Sequence, residues 1–125
     1  MKTDFIEIFQ TIRAEMQPYT VEGFKNTTDS DSAYHLATEE HVVQPEQNKD
    51  EVYFFGLEIN ADHVALCFNP IYTTQEINSL FGADLLNLIV ENNCFRIEKL
   101  DDLLLEQISN ALAASFKYYK QKGWV

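Results

Sequence analysis

The chain is poor in the residues that most often announce chemistry: two cysteines, four glycines, three histidines and nine basic side chains in 125 residues. Cys67 and Cys94 lie too far apart for a CxxC redox motif, and four scattered glycines leave neither a phosphate-binding loop nor a dinucleotide fingerprint. Neither cysteine has a local histidine or a glycine-rich elbow, as nucleophilic catalysis requires. With no catalytic motif, an enzyme is not expected. No apolar run approaches the roughly 20 residues of a membrane span, and the opening MKTDFIEIFQ lacks the apolar stretch of a signal peptide. The expectation is a cytoplasmic protein with two reduced thiols.

What the chain does have is an ordinary apolar content of 46%, a 13% share of aromatic residues and a net charge of −11. This length and balance fit one globular domain, 1–125, with an aromatic core. The acidic excess is weighted to the first half of the chain. Such a field repels phosphate backbones and anionic lipid, so neither nucleic acid nor membrane is an expected partner. Cations and a basic protein patch suit it better.

Periodicity divides the chain. Thr3 is placed to cap a first helix whose Phe5, Ile6, Phe9, Ile12 and Met16 recur at helical spacing, and Pro18 stops it. Residues 19–26 and 32–41 read as edge strands around the turn-rich NTTDSDS, and 44–51 as a polar loop. The clearest unit is a hairpin, VYFFGLEI and VALCFN across NADH. Alternation sends Tyr53, Phe55, Leu57 and Ile59 inward with Val64, Leu66 and Phe68. Thr73 and Glu76 form a capping box for TTQEINSLFGADLLNLIVEN, which Gly82 divides into two helices. CFRIEKL is a strand with Phe95 and Ile97 inward. Asp101 caps a final helix striped by Leu105, Ile108, Leu112, Phe116 and Tyr119. The fold class that results is α+β, with a mainly antiparallel sheet of about five strands packed by N- and C-terminal helices.

The same parity puts Phe54, Gly56, Ala65, Cys67 and Cys94 on the opposite sheet face. Small residues around one aromatic suit close approach by a helix, by a second subunit such as the other copy of a homodimer, or by a ligand. Arg96, two residues from Cys94 on the same face, is the one candidate activator of a thiolate, so Cys94 is expected to be the more reactive thiol. The thiols can meet only if their strands are neighbours.

The run from Tyr53 to Trp124, through FNPIYTTQEI, CFRIEKLDDLLLEQI and YYKQKGWV, resembles the YdhG-like family, bacterial cytosolic proteins with a domain of unknown function. The resemblance implies helices packed on a mainly antiparallel sheet. Part of that family is described as frataxin-like, which implies iron as a cofactor or cargo and a role in its binding or delivery. Frataxins carry carboxylates along the first helix, where this chain offers Asp4, Glu7 and Glu15. In HLATEEH, Glu39 and His41 would stand about 7 Å apart on one face of an extended strand, close enough to hold one ion. Asp4, Glu7, Glu39 and His41 are therefore the candidate metal ligands. A protein-interaction or self-association domain without metal is the alternative. His63, at the hairpin tip, is expected to be a solvated turn residue, and Trp124 to dock on the core.

Overall fold

Asp4, rather than Thr3, begins the first helix: its carboxylate accepts the Ile6 N–H at 3.0 Å, and α1 runs Phe5–Met16. Both residue types cap well, so the sequence does not discriminate between them. The computed structural model describes residues 2–22, 24–38, 42–44, 47–49, 53–68, 74–91 and 93–121. Pro18 ends α1 in a 3₁₀ turn, Gln17–Val21, where an extended segment was expected. Two strands follow, β1 (Phe24–Asp29) and β2 (Ala33–Thr38), then a ribbon of β3 (Val42–Gln44) and β4 (Gln47–Lys49), which replaces the expected polar loop. The hairpin forms as read, β5 (Tyr53–Ile59) and β6 (Val64–Phe68), with Ile59 opposite Val64.

Gly82 separates α2 (Thr74–Leu80) from α3 (Ala83–Leu86). The helical reading fails beyond Leu86, because Ile89–Glu91 is a strand, β7, paired with β8 (Cys94–Ile97). A short apolar run does not declare its own period, and here pairing decides it. Asp101 caps α4 (Asp102–Gln121), accepting the Leu104 N–H at 2.8 Å. A two-way backbone bridge between Lys2 and Leu100, at 2.7 and 2.8 Å, ties the chain start to this cap.

The fold is α+β. Six strands form one antiparallel sheet in the order β1-β2-β5-β6-β8-β7, one more than expected, and β3-β4 stand apart from it. β2 is an interior strand between β1 and β5, not an edge. Helices α1 and α4 touch each other, α1 touches β5 and β6, and the core of Ile8, Phe9, Ile12, Leu57, Leu66, Phe68, Phe95, Ile97, Ile108 and Leu112 lies between these helices and the sheet.

One irregularity reorganises that core. Leu36 pairs with Phe55 and Ala37 with Tyr53, so Phe54 has no partner on β2 and is the extra residue of a β-bulge. The bulge turns Phe54 to the helix side beside Phe55, with ring centroids 4.9 Å apart, and stacks it on Phe24 at 4.1 Å. Tyr19 and Tyr119 meet the same ring at 5.6 and 5.2 Å. Alternation therefore fails at two positions: Phe54 is core, and the Tyr53 side chain lies on the opposite face, where its hydroxyl meets His35.

Within this apolar layer, Ser115 of α4 is fully buried and its hydroxyl has no hydrogen-bond partner among the described residues. An unpaired buried hydroxyl costs about 1–3 kcal/mol. Ser115→Ala is accordingly expected to raise stability by about 1 kcal/mol in urea unfolding, and a loss of stability would show that the hydroxyl is paired in solution.

Candidate functional site: a cross-strand disulfide beside an imidazole and a phenol

The most chemically distinctive part of the molecule lies on the sheet face away from α1 and α4. Strand register lines up His35 of β2, Gly56 of β5, Cys67 of β6 and Cys94 of β8 in one cross-strand row. Because β8, and not β7, neighbours β6, the two cysteines stand directly opposite each other with Cα atoms 4.0 Å apart. They form a disulfide, which corrects the expectation of two reduced thiols. Directly opposed residues of adjacent antiparallel strands bring their side chains within bonding range, and a separation of 27 residues hides that proximity from the sequence. Both cysteines are half-buried rather than sealed in the core.

Gly56 has a specific role in the row. A methyl group at its Cα would overlap the Tyr53 hydroxyl and His35 Nδ1, so these two side chains occupy the space that glycine leaves empty. The Tyr53 hydroxyl lies 3.2 Å from His35 Nδ1. Burial, with the charge of Glu58 second, pushes the Tyr53 phenol well up, so the phenol keeps its proton beside Nδ1. The other ring nitrogen, Nε2, faces Glu58 Oε1 at 3.5 Å.

The neighbouring row carries Ala33, Glu58, Ala65 and Arg96. Arg96 does not serve Cys94 in the way its spacing suggested. Its guanidinium donates to Asp62 Oδ2 at 2.6 Å and lies 3.8 Å from Glu98. The hairpin tip completes that cluster: His63 Nδ1 donates to Asp62 Oδ1 at 2.7 Å, and its Nε2 accepts from Asn60 at 3.1 Å. These bonds hold the Asp62 carboxyl below its ordinary range, the His63 contact first and Arg96 second. His63 is thus a half-buried structural residue of the turn, not a solvated one.

The other expected site residues are dispersed. Asp4 is the α1 cap, and Glu7 pairs with Lys2 at 3.1 Å. Glu39, His41 and Trp124 lie outside the described residues. Among the described residues, no group of three or more His, Cys, Asp or Glu side chains is placed to hold a metal ion. Of the expected contact surface, Gly56, Ala65, Cys67 and Cys94 do share a face, whereas Phe54 is covered by the protein's own Phe24 and Tyr119. His35 and Tyr53 were the members missed. Their signal in the sequence was Gly56 itself, a glycine within a strand, which marks close approach without saying by what. Among the described residues no helix is long and apolar enough to cross a membrane. No protein-family model, curated protein or solved structure matches this chain.

Proposed function

We propose that this is a cytoplasmic, redox-responsive domain whose Cys67–Cys94 pair interconverts between disulfide and dithiol. The observation that carries the reading is the placement of the bond: directly across two paired strands, half-exposed, beside a polar imidazole–phenol pair rather than within the apolar layer. Accessible disulfides are the ones that exchange, whereas bonds that only brace a fold resist reduction by the glutathione pool. In a reducing compartment, a disulfide of the cycling kind is also the kind that is found.

Iron binding or delivery, which the resemblance to the YdhG-like family implies, draws no support from Asp4 and Glu7, because one caps a helix and the other is held by Lys2. The self-association reading loses its aromatic anchor, since Phe54 faces the core.

Titration in thiol–disulfide buffers, with alkylation to count free thiols, tests the proposal. Half-conversion is expected between about −200 and −300 mV, within the span of intracellular thiol couples. A pair that stays bonded well below −300 mV is a permanent brace, and the reading is then wrong.

A further inference from the structure

The two sulfurs of this bond have different surroundings. Two residues from Cys94, the guanidinium of Arg96 is committed to Asp62 and Glu98. Around Cys67, the neighbour across the strand pair is Gly56, over which the Tyr53 hydroxyl and the His35 ring lie. Cross-strand Cβ positions stand about 5 Å apart, so the Tyr53 hydroxyl and His35 Nδ1, which fill the Cβ space of Gly56, are about 5 Å from the Cys67 Cβ. Once the bond opens, the Cys67 sulfur is free to rotate about χ1 towards these two polar atoms. Cys94 has no such pair beside it among the described residues.

Building on the redox reading above, we infer that exchange at this bond is directional, with a dithiol reductant as its substrate class, Cys94 as the sulfur attacked and Cys67 as the leaving group received by the His35–Tyr53 pair. An external thiolate forms a bond to Cys94 Sγ as the Cys67–Cys94 bond breaks, and its electron pair leaves with Cys67. The Cys67 thiolate accepts a hydrogen bond from His35 or Tyr53 and takes a proton from water. The second thiol of the reductant, as thiolate, attacks the reductant's own sulfur in the mixed disulfide and expels Cys94 as a thiolate, which also takes a proton from water. The products are two protein thiols and the oxidised, disulfide form of the reductant. The better-stabilised thiolate leaves faster, which is what selects Cys67. His35 and Tyr53 act here through the leaving sulfur and do not touch the reductant; they are positioning residues.

The oxidised protein, exposed briefly to the monothiol 2-mercaptoethanol, quenched in acid, alkylated and mapped by mass spectrometry, reports which sulfur is attacked. The adduct is expected on Cys94 with a free thiol at Cys67. His35→Phe, and independently Gly56→Ala, which keeps both side chains but displaces them, should each slow opening roughly tenfold, the size of one hydrogen bond to a charged group, and spread the adduct over both cysteines. A change in folding alone does not redistribute an adduct. An adduct on Cys67, or an even distribution in the unmodified protein, overturns the direction while the redox reading stands. A bond that no reductant opens in the folded protein overturns both.

Discussion

Phe54→Ala is expected to lower unfolding free energy by about 3–5 kcal/mol, the cost of emptying an aromatic site in a close-packed core. Domains of this kind have only about 5–15 kcal/mol in total, so the variant should lie near the limit of folding. The size of the effect comes from what the ring joins. It stacks on Phe24 of β1, meets Tyr119 of α4 and Tyr19 of the 3₁₀ turn, and touches Phe55 on its own strand. Removing it therefore loosens an edge strand, a helix and a turn together. Urea unfolding checks the value, with Leu103→Ala as a control, since Leu103 is 55% exposed and should change little. A cost below about 1 kcal/mol for Phe54→Ala would mean that simple alternation is right and the ring faces outward.

Reduction of Cys67–Cys94 should have the next largest effect. A cross-link closing a loop of 27 residues removes chain entropy from the unfolded state worth about 3–4 kcal/mol. Unfolding in the presence of reductant should therefore shift to lower urea by that amount. The paired variant Cys67→Ala with Cys94→Ala should resemble the reduced protein and be indifferent to reductant. The two measurements check each other, because reductant changes no side chain's size and substitution changes no solvent. If reductant leaves the unfolding midpoint unmoved while two free thiols are counted before it is added, the pair is unbonded in solution.

These two results also mark where the sequence was legible. The β5–β6 hairpin, the inward Phe95 and Ile97, and the Asp101 cap of α4 can all be read because each depends on neighbours a few residues away. Phe54 could not be read in the same way. A period of two carries no sign that one residue of a strand will be skipped by its partner, and the bulge is set by how β2 and β5 settle against each other. The disulfide and the His35–Gly56–Cys67 row are of this kind too. His35 and Cys94 lie far apart in the chain and are brought into one line only by the strand order. Ile89 failed for a different reason: three residues of strand hold too few side chains to distinguish one period from another. Of the candidate site, the sequence showed the shared face of Gly56, Ala65, Cys67 and Cys94 but not what stood over it.

The bulge has a consequence for how this protein can change over generations. Residues in β5 can be exchanged for others of similar size, but gaining or losing one residue between Tyr53 and Gly56 would swap the inward and outward sets along that end of the strand. An aromatic would be driven out of the helix-covered layer and a phenol pulled into it. Length variation should therefore accumulate in the turn at Ser30–Ser32, which lies at strand ends, rather than in the bonded turn at Asn60–His63. At Phe54 the count of residues, more than their identity, is the inherited feature.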